Sequence, residues 1–170
     1  MRHLASGTFA ARPMSERIPL LIFHLGDRLY GIRLSRVERV VRSVEATPLP
    51  QAPSMVLGVI SFHGDIVPLF NLRRRFGCPE RDVGLDDQFI VAHTARRLVA
   101  LVVDGVRDII EHSPEDITSA KTIHHQLEQI EGVIQLDDGL ILIHDLDQFL
   151  SLTDEQDLEQ ALIKYPIHGN

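Results

Sequence analysis

An all-β fold, arranged as two similar small barrels sharing one interface, is what this sequence predicts, and three observations carry the prediction. The apolar residues gather into roughly ten short runs punctuated by glycine, aspartate and proline, the signature of strands and tight turns. Neighbouring runs are joined by a few residues, whereas a parallel crossover takes about a dozen or more, so the sheets are expected to be antiparallel. The runs also fall into two sets, before and after residue 86, and closure of each set into a barrel hides its edges. Apolar residues make up 44% of the 170 positions and aromatic ones only 5%, so aliphatic side chains must fill the cores.

The first element is Pro19–Leu25 (PLLIFHL), followed by Gly26-Asp27 and Arg28–Leu34 (RLYGIRL), a hairpin in which glycine supplies the positive backbone angle. Ser35 suits the cap of a short turn. Val37, Val40 and Val41 in VERVVR fit a helical turn or a strand equally, because so few residues carry no decisive period. Thr47–Pro53 has three prolines in seven residues, which excludes a regular helix or central strand and reads as a stiff loop. Met55–Phe62 (MVLGVISF), His63-Gly64-Asp65 and Ile66–Leu72 (IVPLFNL) form a second hairpin, with Pro68 implying an edge or a bulge. Asn71 is placed to cap one helical turn over Leu72–Phe76, ended by Gly77.

Phe89–His93 and Leu98–Val103 make the next pair, and Val106, Ile109 and Ile110 follow Asp104-Gly105. Residues 111–128 are polar and contain Pro114. Ile130–Leu136 and Leu140–His144 flank Asp137-Asp138-Gly139, a strong hairpin signal. Thr153 to Gln156 has the spacing of a capping box, and Leu158, Ala161 and Leu162 give the terminal helix one apolar stripe.

Composition narrows the function. The longest clean apolar runs, such as Leu98–Val103, hold six residues, far short of the roughly 20 a spanning helix needs. The first 18 residues lack the apolar stretch of a secretory signal and read as a disordered leader. Cys78 is the only cysteine, which excludes an intrachain disulfide and a cysteine-based zinc site and fits a cytoplasmic location. The net charge is −7, against simple nucleic-acid binding. Residues 1–97 hold fourteen Lys/Arg against nine Asp/Glu, and residues 98–170 hold three against fifteen. Two readings fit this asymmetry: a solvated surface of uneven sign, or two differently charged faces that steer different protein partners.

A catalytic centre is not apparent. There is no G-x-S-x-G elbow, phosphate-binding glycine loop, G-x-G-x-x-G or H-E-x-x-H. Cys78 reads as a loop residue. His124-His125 are adjacent and point apart on any regular element, which makes them poor joint ligands. Asp86-Asp87 and Asp137-Asp138 read as turn residues without calcium-loop spacing. Two alternatives stay open: a small metal-dependent enzyme using His144, Asp145 and Asp147, although Asp145 also suits a turn cap, and a small-barrel nucleic-acid binder using the basic run Arg73–Arg75.

Taken in order, these pieces resemble the CheW-like adaptor family of bacterial chemosensory arrays. The resemblance runs over roughly Leu20–Leu150 and is most specific in PQAPSMVLGVISFHGDIVPLFNLRRRFG, where Gly58-Val59-Ile60, Gly64, Val67-Pro68 and Leu72-Arg73 match the family's GVxNLRG and xxVPxxDLR. Leu101–Val106 (LVVDGV) and Leu142–Leu146 (LIHDL) agree as well. The resemblance implies two intertwined five-stranded SH3-like barrels over residues 19–150, the first about 28–86 and the second about 87–150 completed by the first strand 19–26. A C-terminal helix and tail fill 151–170. It implies no catalysis, cofactor, metal, nucleic acid or membrane insertion. The implied role is a coupling protein between chemoreceptor tips and the regulatory domain of a CheA-type histidine kinase, with other CheW-like proteins as further partners.

The resemblance also places residues. Val37, Arg39, Gly58, Ile60, His63 and Gly64 would face the receptor, and Leu29, Val41 and Val44 would lie near the kinase-facing end of the first barrel. Plain core packing is the ordinary role of aliphatics such as Ile60 and Val41. Two positions depart from the family pattern: His63 stands where the family carries arginine, and Arg39 where it carries an acid. Arginine brings a permanent charge and a five-donor fork that histidine lacks. The reversal points to a non-standard receptor, as in a pilus-motility or other chemosensory-like system, or to an adaptor that binds kinase or its own kind alone.

Overall fold

Gly26 and Asp27 close the first hairpin, with Gly26 at φ +58, where a side chain would be strained. Strand β1 (Ile18–Leu25) lies antiparallel to β2 (Arg28–Arg33), Leu20 opposite Arg33 and Leu25 opposite Arg28. The architecture is that of a computed structural model describing residues 16–119, 130–137 and 139–164. Most of the proposed leader, the His124-His125 pair, Asp138 and the tail 165–170 lie outside the described residues.

A single 3-10 turn, Leu34–Arg36, leads into β3 (Val37–Arg42), so VERVVR is a strand; its partner decides what the short period could not. Strands β4 (Val56–Phe62) and β5 (Asp65–Asn71) form a hairpin around His63-Gly64, at φ +49 and +87, the paired positive angles that a tight two-residue turn requires. The helical turn α1 (Leu72–Phe76) is capped as expected: the Asn71 side chain accepts from the Arg73 N–H, and Gly77 ends it in the left-handed region.

Next come β6 (Gln88–His93), β7 (Leu98–Val103) and β8 (Gly105–His112), then a 3-10 turn at Pro114–Asp116 and the two-residue β9 (Thr118–Ser119). Strands β10 (Ile130–Leu136) and β11 (Gly139–His144) form the last hairpin. After a turn at Leu146–Gln148 the chain ends its described course in helix α2 (Leu152–Lys164). The cap of α2 is Ser151, whose hydroxyl accepts from the Asp154 N–H, rather than Thr153. Leu150 just before the helix is buried in the core, and Leu158 and Ala161 anchor the helix on it.

Two sheets result. The first has the order β8-β1-β2-β11-β10-β9 and the second β3-β6-β7-β5-β4. The antiparallel expectation fails at two places: β2 lies parallel to β11, and β5 parallel to β7. These strands are far apart in sequence, so other strands rather than a crossover helix make the connection. Pro68 does not mark an edge, since β5 lies between β7 and β4. The ladder to β7 begins at Leu69, so at Pro68 one flank of β5 carries no ladder.

Strand pairing also divides the chain differently from units at 28–86 and 87–150. The second sheet takes every strand between Val37 and Val103, and the first takes the flanking strands on both sides. The short turn at Gly26-Asp27 keeps β2 beside β1, and the β6–β7 hairpin completes the sheet of β3 to β5 instead of opening a new one.

Each sheet curls round its own core. Leu20, Ile22, Ile134, Ile141 and Ile143 fill the first. Ile60, Phe62, Val67, Leu69, Phe89 and Val91 fill the second, with Val41 from the opposite edge strand against them. A third and larger cluster lies between the sheets and beneath α2; it includes Leu21, Phe23, Tyr30, Ile90, Leu101 and Leu158. Strands β1, β6 and β7 therefore bury both faces, so a run such as LVALVV shows no alternation. Full burial of each such aliphatic side chain contributes about 1.5–3 kcal/mol.

Candidate interaction surfaces

Of the six positions suggested for a receptor, four lie on strands of the second sheet and His63 and Gly64 lie in its β4–β5 turn. Arg39 is exposed on edge strand β3 and makes no ion pair among the described residues, while its neighbour Glu38 takes His93 at 2.8 Å. Val37 is half-buried against the central cluster. On the opposite edge strand, Ile60 is 5% exposed inside the sheet's own core, so core packing is its role. His63 and Gly64 stand exposed at the β4–β5 turn, where the imidazole stacks on Phe62 with ring centroids 4.2 Å apart.

Gly58 has a specific geometric reason to be glycine. Its φ is +154, and a Cβ there would lie 2.4 Å from the Thr47 carbonyl oxygen. Thr47 and Val59 exchange two backbone hydrogen bonds of 2.9 and 2.8 Å across this contact. The segment after β3 is thereby laced along the outer edge of β4.

The three positions suggested for a kinase are not brought together. Leu29 sits on β2 and packs on the core of the first sheet. Val41 packs on the core of the second, and Val44 lies just beyond β3 at 54% exposure. Leu29 thus belongs to the other unit, because the Gly26-Asp27 turn holds β2 in the first sheet.

Val44 lines a cleft of about 560 Å³ at the open end of the second sheet. Its floor includes Leu69, Phe89 and Val102, and one wall is the loop of residues 77–87. An ionic cluster that sequence reasoning missed holds this region in place. Asp104 accepts from the Gly26 N–H at 2.7 Å and from the Arg73 guanidinium, and lies 2.8 Å from Arg81. Arg81 also grips Asp87 through both carboxylate oxygens at 2.6 and 2.8 Å, and Asp87 takes the Gly84 N–H at 2.7 Å.

The Arg81 hydrogen bonds hold the Asp87 carboxyl below the usual carboxylate range against the effect of burial. At Asp104 burial alone would raise the carboxyl, but the Gly26 N–H with Arg73 and Arg81 outweighs it and the net direction is down. The arginine of Arg81 is correspondingly pushed up, first by its hydrogen bonds to Asp87. One carboxylate, Asp104, so ties the first hairpin of sheet one to α1 and the loop beside sheet two.

The two alternative chemistries lose their residues here. Arg73 is buried on Asp104, Arg74 pairs with Glu80, and Arg75 donates to the Gln148 carbonyl, so the basic run is not a free phosphate-binding patch. His144 is 4% exposed, with Phe76 stacked on it at 4.0 Å and Tyr30 and Phe149 beside it. Asp145 caps the following turn by accepting from the Asp147 N–H, and Asp147 takes Arg36 and the Ala95 N–H. Among the described residues no group of three His, Cys, Asp or Glu is placed to hold a metal. No helix among them is long and apolar enough to cross a membrane.

The described residues thus form two β-sheets with exposed turns and edge strands, and a cleft beside the second sheet. Residues 19–154 match the family model described as the CheW-like domain. The chain is 27% identical over 149 residues to the chemotaxis protein CheW of Treponema pallidum, covering 84% of this chain and 88% of that one. It is 32% identical over 130 residues to the chemotaxis protein CheW of Rhizobium meliloti, covering 75% and 84%. Protein FrzA of Myxococcus xanthus is 31% identical over 96 residues, covering 56% and 58%. The crystal structure of the scaffolding protein TtCheW from Thermoanaerobacter tengcongensis superposes with a TM-score of 0.74 at 27% identity, covering 81% of this chain and 95% of that one. The chain belongs to the CheW-like domain family, and it is a non-catalytic scaffold of chemosensory signal transduction.

Proposed function

We propose that this adaptor couples a chemoreceptor-type protein to a CheA-type histidine kinase in the cytoplasm, meeting the membrane only through the receptor. The family match over residues 19–154, which spans both sheets, carries this reading. The receptor contact is assigned to sheet two, where Arg39 lies on edge strand β3 and the His63-Gly64 turn follows the opposite edge strand β4, and the kinase contact to Val41 and Val44. Stable interfaces bury about 1,600 Å² in total, and weaker ones gain strength when several contacts act together in an array.

The charge at the receptor side argues for a receptor of a different kind from the family's usual one. Arg39 is exposed without an ionic partner among the described residues, and His63 is committed to stacking on Phe62. A receptor matched to the family's acid and arginine at these two places meets a reversed charge at one and a lost donor fork at the other. A charge-assisted hydrogen bond contributes about 1.5–3 kcal/mol, so restoring the pair has a measurable effect.

The variant His63→Arg/Arg39→Glu is expected to capture a typical chemoreceptor tip at least about tenfold more tightly than the native chain, in proportion to that energy. Capture of the tip by the native chain as strongly as by the variant contradicts the assignment of these positions. Capture of kinase with no receptor of any kind would instead make the chain an adaptor of kinases or of its own kind.

A further inference from the structure

The chain passes between the sheets twice, from β2 to β3 through the turn Leu34–Arg36 and from β7 to β8 through Asp104. Asp104 holds the second crossing by its own bonds to Gly26, Arg73 and Arg81. The first crossing is held from outside, by Asp147 in the turn that follows β11. One Asp147 oxygen accepts from the Arg36 guanidinium at 3.0 Å and the other from the Ala95 N–H at 2.7 Å. Arg36 ends the crossing, and Ala95 lies in the β6–β7 turn. The carboxylate is itself aimed: the Asp147 N–H donates to the Asp145 carboxylate at 3.0 Å, and the neighbouring Leu146 is buried in the central cluster.

This grip falls where β3 is least constrained. The strand lies at an edge and pairs with β6 alone, and its register shifts between Val37 and Arg39, so no residue of β6 stands opposite Glu38. Val37 and Val40 pack on the central cluster, but apolar contact is non-directional and does not fix where along the core a strand stands. Direction comes from polar contacts. Arg36 also donates to the His93 carbonyl at 3.5 Å, and His93 meets Glu38 at 2.8 Å. Arg97 of the same β6–β7 turn pairs with Glu155 of α2 at 3.2 Å, which keeps that turn on the segment carrying Asp147.

We propose that Asp147 is a positioning residue for the contact made by β3: it holds Arg36 against the β6–β7 turn and so sets where Glu38 and Arg39 stand on the surface. Arg36 and Asp147 are 39% and 29% exposed, so water screens the pair, and its loss acts on local geometry more than on the stability of the whole chain. That Arg39 meets a receptor rests on the function proposed above; the placement of β3 does not.

The test is amide hydrogen exchange on the full chain, read beside capture of the receptor's cytoplasmic tip. In Asp147→Ala two amides are expected to exchange about threefold faster or more: Ala95, which loses its acceptor, and Val37, whose N–H closes the crossing on the Leu34 carbonyl. Amides of the β1–β2 hairpin should be unchanged, and the unfolding midpoint should stay within about 4 °C of the native value. Receptor capture should weaken by a similar factor. Asp147→Asn keeps an acceptor for Ala95 but not the charge facing Arg36. It breaks the same contact as Arg36→Gln, so the effects of these two on receptor capture should not add in the double variant. Unchanged exchange at Val37 in Asp147→Ala overturns the proposal, as does faster exchange with receptor capture unaltered, or additive effects in the double variant. If the native chain captures no receptor tip, the function proposed above fails, and exchange at Val37 alone then decides whether Asp147 places β3.

Discussion

Replacing Asp104 by alanine is expected to lower the thermal unfolding midpoint by roughly 10 °C, because breaking a buried ion pair costs about 3–5 kcal/mol and a chain of this size shifts about 2–4 °C per kcal/mol. The Arg73 and Asp104 side chains are only 10% and 17% exposed, so water cannot take over the abandoned guanidinium. The same change strips the Gly26 N–H of its acceptor at the turn of the first hairpin and leaves Arg81 with one carboxylate, Asp87, instead of two. Asp104→Asn retains an acceptor for Gly26 but not the charge, and should fall between the native chain and the alanine variant. A midpoint for Asp104→Ala within about 2 °C of the native value would show that the cluster adds little to stability, as many ion pairs do.

The pH dependence has a fixed sign. Asp87 and Asp104 both titrate below the ordinary carboxylate range in the folded chain. Each therefore contributes stability that is full above the unfolded carboxylate pKa near 4 and is lost as pH falls through the lower folded value. Chemical denaturation followed from pH 7 to pH 3 should show that loss in the native chain and a shallower one in Asp104→Ala.

Gly58→Ala is expected to destabilise by about 2–4 kcal/mol, combining strain at a positive φ with the loss of hydrogen bonds. A methyl group at this position runs into the backbone of Thr47, not into a flexible side chain, so one of two chain segments must move. The paired hydrogen bonds between Thr47 and Val59 are then lost, and amide exchange at both residues should accelerate together. Val44 and Ala46 precede Thr47 and line the cleft, so that wall should shift as well. Native-like stability with unchanged exchange at Thr47 would mean that the backbone there yields at no cost.

Much of the local structure was legible because turn chemistry is local. Gly26-Asp27, His63-Gly64, Asn71 and Gly77 each act within a few residues, and the structure uses each as a turn or cap. The division into sheets was hidden, since strands buried on both faces lose the alternation that tells one face from the other. The parallel pairs β2–β11 and β5–β7 join residues far apart in sequence, and no local pattern marks them. The ionic cluster was hidden for the same reason: Arg73 and Arg81 lie 31 and 23 residues from Asp104. In the sequence Arg73 is one of three arginines in a basic run and Asp87 reads as a turn residue. Of the suggested site residues, Gly58 was visible through its motif, but the carbonyl of Thr47 that requires glycine there appears only in the folded chain.

The most direct measurement is a three-component capture. The cytoplasmic tip of the receptor that serves this chain in its own cell is fixed on a resin and offered the matching CheA-type kinase, with and without the chain. Retention of kinase should rise sharply when the chain is added and fall back when Arg39 and His63 are replaced. Kinase retention that is the same with and without the chain, under conditions where all three proteins are folded, would contradict the adaptor role.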